Sequence, residues 1–209
     1  MDELIKHCNE RNLDGVIKYF YSHQYPNYAF DQGSVILESV IINQDIEILE
    51  VLLRNNIVFN EDVLNALPYS NEDIFLLVYN YIMHNKERLS ININNKPDFL
   101  ADLCKSYSST EKMFFIALKS GYFDVNYKDY SGKKLIHLIV CFGKKGFMKY
   151  LKGFDIDYLE KDEDGYTILD YATKKNNSLI IYDLITLKPI LKVLFANQYS
   201  CFASNILYK

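Results

Sequence analysis

The sequence predicts an all-α protein: a solenoid of about five to six stacked helix pairs with a C-terminal capping helix. Three observations predict it. Apolar residues recur at helical spacing along most of the chain, separated by short polar breaks. The line Asp129-Tyr130-Ser131-Gly132-Lys133-Lys134-Leu135-Ile136-His137-Leu138-Ile139 aligns with Asp162-Glu163-Asp164-Gly165-Tyr166-Thr167-Ile168-Leu169-Asp170-Tyr171-Ala172 at an offset of 33 residues. The same offset relates Leu13 to Ile46 and Phe20 to Leu53, near the other end of the chain. A fixed period of this size marks a stacked repeat, because one helix pair cannot bury its apolar face alone.

Taken in order, Asp2 is placed to cap a first helix, with Glu3 in its first turn. Asn9–Asn12 is a polar break, and Leu13, Val16, Ile17 and Phe20 form the apolar face of a second helix. His23–Tyr28 contains Pro26 and reads as a loop. The next unit opens at Asp31 and continues as Val35–Ile41; it breaks at Asn43–Asp45 and resumes with Ile46, Leu49, Leu52 and Leu53 on one face. Glu61–Leu67 is expected as a short helix ended by Pro68. A helix started by Asn71–Asp73 then points Ile74, Leu77, Val78 and Tyr81 inward. This unit is about five residues short of the period, and the polar stretch His84–Pro97 is expected as an irregular loop. Asp98 opens a helix over 99–107. Met113, Phe114, Ala117 and Leu118 face inward on the next, which Gly121 ends. Further helices are expected over 135–142, 146–152, 168–174 and 178–184, with a last one, 189–197, begun by Pro189. It is expected to cover the final repeat; 201–209 is a tail or a further short element.

At these residues the chain resembles the ankyrin-repeat family, whose pattern is Asp-x-x-Gly-x-Thr-x-Leu-His-x-Ala, a second helix, then Gly-x-Asp-Val-Asn. Asp162, Gly165, Thr167, Leu169 and Ala172 match it in one unit, and Asp129, Gly132, Ile136 and His137 in the one before. Gly121, Asp124, Val125 and Asn126 match the entry to a finger, the extended hairpin that links repeats. Asp31, Leu37 and the 43–53 stretch match an earlier unit. Residues 1–57 and 108–187 carry the resemblance, and 58–107 are fitted by default. The match departs from the family where Lys134 replaces Thr and Asp170 replaces His. The resemblance implies one domain over 1–209, with units 1–27, 28–57, 58–90, 91–126, 127–159 and 160–187 and a cap at 188–209.

Composition bounds the rest. The chain has 209 residues, 49% hydrophobic and 24% charged, with a net charge of −4. That balance argues against nucleic acid or an anionic membrane as partner. The first residues lack the apolar core of a signal peptide, and the longest apolar run, 74–83, is too short to span a bilayer. A cytoplasmic protein is expected, or one that works in a host cytoplasm if a pathogen delivers it. Four cysteines, at 8, 104, 141 and 201, have no zinc or redox spacing, and no metal or cofactor is expected. Abundant Ile, Asn, Lys and Tyr without Trp suits an AT-rich genome.

No phosphate loop, dinucleotide fingerprint or catalytic elbow is present, so no catalytic residue and no small-molecule substrate are expected. His137 and Cys141 stand four residues apart, a spacing that would suit a thiol–imidazole nucleophile; the blander reading makes His137 structural and Cys141 core. The acidic run Asp162-Glu163-Asp164 is too short for a calcium loop. Lys144, Lys145, Lys149 and Lys152 make a basic edge on the neighbouring helix, read as a solvated face. Tyr122, Tyr127, Tyr130, Tyr158 and Tyr166 gather in or beside two successive fingers, and about half are expected to pack. The resemblance implies a non-enzymatic module that binds a protein through finger tips and the concave helix face. It puts Tyr127, Lys128, Tyr130, Lys133, Glu160, Glu163 and Tyr166 on the contact surface. It also implies Asn126, in Asp124-Val125-Asn126, as a candidate site for a cytosolic asparaginyl hydroxylase. A structural subunit of a larger assembly is the alternative.

Overall fold

The computed structural model describes residues 2–23 and 30–198. It is all-helical: among the described residues there is no strand, only one antiparallel bridge between Lys128 and Lys134. No helix among them is long and apolar enough to cross a membrane. The chain packs as two compact units, 1–123 and 124–209, divided within the expected finger entry 121–126.

In the first unit, α1 (Asp2–Asn9) and α2 (Leu13–Ser22) pack as a pair, as do α3 (Phe30–Ile42) and α4 (Ile46–Arg54). Asn12 caps α2 by accepting from Gly15 N–H at 2.9 Å, and Asp45 caps α4 by accepting from Ile48 N–H at 3.2 Å. The faces they bury differ slightly from the pattern reading. On α2 the buried residues are Gly15, Val16 and Tyr19, while Leu13, Ile17 and Phe20 are half-buried. On α4 Ile48 joins Leu49, Leu52 and Leu53 in the core and Ile46 stays exposed. Gly33 permits the close approach of α3 to the chain after α4, since a Cβ there would meet the Val58 carbonyl oxygen at 1.7 Å.

The middle departs most from expectation. The short helix expected over 61–67 is two 3-10 turns, Glu61–Asn65 and Leu67–Tyr69, and Pro68 sits inside the second instead of ending the first. Then α5 runs from Glu72 to Leu89, through half of the stretch read as a loop. Leu89 explains the extension. It lies two turns beyond Ile82 on the same face and is buried like it, so the helix gains a further apolar anchor past its polar residues. The inward residues of α5 are Ile74, Phe75, Val78, Tyr79 and Ile82; Leu77 and Tyr81 are half-buried. Ser90 closes α5 in the left-handed region. Next come α6 (Phe99–Lys105) and α7 (Glu111–Lys119). The latter buries Met113, Phe114, Ala117 and Leu118, the residues expected.

The second unit holds α8 (Leu135–Cys141), α9 (Lys145–Met148) with a 3-10 turn to Leu151, α10 (Ile168–Lys174), α11 (Ser178–Leu187) and α12 (Pro189–Gln198). On α12 Leu191 and Phe195 are fully buried while Ile190 and Val193 are exposed. The expected tail 201–209, Cys201 and residues 24–28 of the expected loop lie outside the described residues.

One local geometry recurs through both units. Arg11, Gln44, Gly143 and Asn176 all have positive φ, between 50° and 68°. In each case the next N–H reaches back five residues: Asn12 to His7, Asp45 to Val40, Lys144 to Ile139 and Asn177 to Ala172, at 2.8–3.2 Å. That is the closure of a helix by a left-handed residue, with a second helix starting immediately after. These four positions fall on one 33-residue grid, with three periods between Gln44 and Gly143, while the same closure at Asn56 and Ser90, not followed at once by a helix, falls off it. The two grid points left empty, 77 and 110, lie in the off-register middle.

Candidate protein-binding surface

Two loops of the second unit, 124–134 and 157–167, hold every candidate contact residue. Each ends in a tight turn built around an aspartate. Asp129 N–H donates to Lys133 O at 3.0 Å, and Gly132 N–H donates to Asp129 O at 2.9 Å. The Asp129 carboxylate closes the turn by accepting from the Ser131 N–H, the Ser131 hydroxyl and the Lys133 N–H, at 2.7–3.0 Å. The second loop repeats this 33 residues on. Asp162 N–H donates to Tyr166 O, Gly165 N–H donates to Asp162 O, and Asp162 Oδ1 accepts from Tyr166 N–H at 2.9 Å. Gly132 and Gly165, at φ +70° and +80°, supply the left-handed residue each turn requires. The loops also touch: Glu163 N–H donates to Ser131 O at 3.3 Å, and a Cβ on Gly132 would meet Glu163 N at 3.0 Å.

Beneath the turns is a polar layer. Asp162 is buried and accepts from the Tyr171 hydroxyl at 2.5 Å, with Lys133 Nζ at 3.3 Å. Burial works to raise its pKa, but bonds from Tyr171, Tyr166 N–H and Lys133 hold it below the usual aspartate value. Burial, then the bond to Asp162, pushes the Tyr171 phenol up to about 12. Burial opposes the charge on Lys133, yet bonds to Tyr171 and Asp162 keep its pKa above the ordinary lysine value. Glu160 binds both Lys128 Nζ, at 2.6 Å, and Lys134 Nζ, and those two bonds lower its pKa.

His137 completes the layer. It is fully buried; its Nδ1 accepts from Lys134 N–H at 3.2 Å, and its Nε2–H therefore donates to Glu160 O at 3.0 Å. Burial lowers its pKa, in keeping with the neutral tautomer those bonds require. Both ring nitrogens are committed to backbone, leaving neither for Cys141, whose thiol burial pushes up to about 11. Asp170 does the same task 33 residues on. Its carboxylate accepts from Thr167 N–H and from the Thr167 hydroxyl, both at 2.7 Å. At equivalent positions of the two aligned lines, His137 and Asp170 thus cap their helix starts in different ways.

The sequence-named residues divide accordingly. Tyr130 stands at the tip of the first turn, 93% exposed, and Tyr166 is 42% exposed with Lys174 Nζ 5.4 Å from its ring centre. Glu163 is exposed. Tyr127 is half-buried and Tyr158 buried. Lys128 and Glu160 are brought together as an ion pair, and Lys133 is tied to Asp162 and to Asp164 at 3.7 Å. Asn126 is exposed, and its side-chain amide donates to Asp155 O at 3.4 Å. Tyr171 and Lys134 belong to the polar layer but were not singled out from the sequence. The available signal was the spacing that sets Tyr171 one helical turn after Thr167, beside Asp162. Among the described residues no group of three or more His, Cys, Asp or Glu is arranged to hold a metal ion.

No protein-family model matches the chain, and a search of curated proteins returns no match.

Proposed function

We propose that the chain is a divergent ankyrin-type repeat protein that binds another protein, without catalysis, through the finger tips of its second unit and the adjoining helix face. The observation that carries the reading is Tyr130, almost wholly exposed on a turn fixed by three bonds to Asp129. A large aromatic ring held out on a rigid turn gives contact area at low entropic cost. Tyr166, on the equivalent turn, extends the surface, and Glu163 and Lys174 supply charges of both signs beside it. The 33-residue grid of helix closures supports the repeat assignment. In this reading Lys128, Lys133 and Glu160 fix the finger geometry and present their outer edges to the partner. The expected setting is the cytoplasm. An AT-rich composition favours a viral or intracellular-bacterial protein directed at host proteins.

Site-specific photo-crosslinking tests it. A benzophenone side chain in place of Tyr130, irradiated in eukaryotic cytosol, is expected to give a discrete adduct, and the same group in place of exposed Leu179 on α11 is not. Equal labelling at both positions contradicts the surface assignment. The exposed Asn126 is the proposed hydroxylation site; a peptide mass unchanged after exposure to that cytosol contradicts it.

A further inference from the structure

The second unit has a candidate surface; the first has an unexplained one. Val35, Glu38 and Ile42 fall at i, i+3 and i+7, on one face of α3, a face turned away from the core. Val35 is 57% exposed and Ile42 67%. Ile42 borders a groove of about 350 Å³ lined by Glu38, Ile42, Gln44, Asn65, Ala66 and Tyr69, with Tyr69 51% exposed. This offers room for one or two side chains of a partner.

Of the polar groups of the groove, the Gln44 and Asn65 side chains are occupied, and the half-exposed Tyr69 hydroxyl faces no partner among the described residues. Gln44 donates to Ile41 O and accepts from Asn71 N–H, and Asn65 accepts from Lys96 Nζ. Glu38 is half-buried and has no hydrogen bond or ion pair among the described residues. Desolvation raises its pKa, Asp62 adds to the shift, and Lys96, held by Asn65, opposes it. A carboxylate losing water beside apolar side chains, with no donor of its own, is completed by a cation brought from outside. The surroundings agree in sign: residues 1–123 hold 17 acidic against 10 basic side chains, a net charge of −7.

We infer that the groove between α3 and the 61–69 turns binds a partner segment carrying an apolar side chain next to an arginine or lysine, the apolar group seated on Ile42, Ala66 and Tyr69 and the cation on Glu38. Arginine suits the site best, because its planar fork engages a carboxylate through two bonds. The site shares no residue with the finger surface, so either can fail alone.

The test uses the full chain, nitrogen-15 labelled, with two blocked peptides as probes: Leu-Arg-Leu-Arg, and the same peptide with neutral citrulline for arginine. The arginine peptide is expected to shift the resonances of Ile42, Ala66 and Tyr69, and the citrulline peptide to bind about five-fold more weakly or worse. Glu38→Gln keeps the shape, is expected to melt as wild type does, and should erase the difference between the peptides. Equal affinity of the two peptides for wild type overturns the proposal, as does a preference that survives in Glu38→Gln. Shifts confined to other residues, or no shift at all, do so too. If the same resonances move with protein concentration in the absence of peptide, a second copy covers the groove and the proposal fails.

Discussion

At the scale of single residues, His137 ties the start of α8 to the second loop. A neutral ring with Nδ1 facing Lys134 N–H cannot take a proton without losing that bond. Its folded pKa lies below the ordinary 6.5, so the unfolded chain binds the extra proton more readily. The stability it contributes is complete above about pH 6.5 and is lost as the pH falls through the folded value. Glu160 and Asp162 are also shifted down, from 4.5 and 3.8, so their contribution is present above those values and is lost at still lower pH. The thermal midpoint is therefore expected to drop between pH 7.5 and 5.5, and His137→Gln, still able to accept from Lys134 N–H, to flatten that step. A wild-type midpoint independent of pH over this window would contradict the assigned tautomer. Gly33 is a second point of constraint. Gly33→Ala sets a Cβ against the Val58 carbonyl and is expected to cost about 1–3 kcal/mol, read by denaturant unfolding.

Helix starts and apolar anchors decide what happens at the scale of the element. Thr167 and Asp170 close the beginning of α10 reciprocally, so Thr167→Ala should cost about 1 kcal/mol. Leu169, almost fully buried on the same helix, should cost about 2–5 kcal/mol on truncation to alanine, because the cavity refills only in part. Melts of the two variants check both values, and their order matters more than their size. The bounds of α10 and the four buried residues of α7 were legible in the sequence, because cap, periodicity and terminator agree there. Elsewhere they conflict. The 84–89 segment reads as polar loop, and the distant contacts made there by α5, Leu89 in the core and Lys86 against Tyr122, leave no local trace. Ile46 and Ile48 on α4 are equally apolar, and only packing against neighbours decides which is buried. Of the candidate surface, the turn glycines and aspartates were readable from spacing. The pairing of Lys128 and Lys134 with Glu160 was not, since it joins side chains from two different loops. The groove at Glu38 was missed because an unpaired carboxylate looks like any other in a sequence.

At the scale of the molecule, charge is unevenly shared. The 124–209 segment carries 13 lysines against 10 acidic side chains, a net +3, where 1–123 is at −7. Proteins with such asymmetry meet partners by steering, and the rate of capture then falls with added salt. The proposed module binds through exposed rings: Tyr130 is almost wholly exposed and Tyr166, which also touches Tyr171 and Lys174, is 42% exposed, so Tyr130→Ala/Tyr166→Ala is expected to lower the thermal midpoint only slightly. The central claim is most directly tested by affinity capture from eukaryotic cytosol, with quantitative mass spectrometry comparing wild type and this double variant. The account predicts a small set of proteins retained by wild type and depleted about ten-fold or more in the variant, the loss expected on removing two aromatic anchors. Identical captured sets from two folded proteins would contradict it.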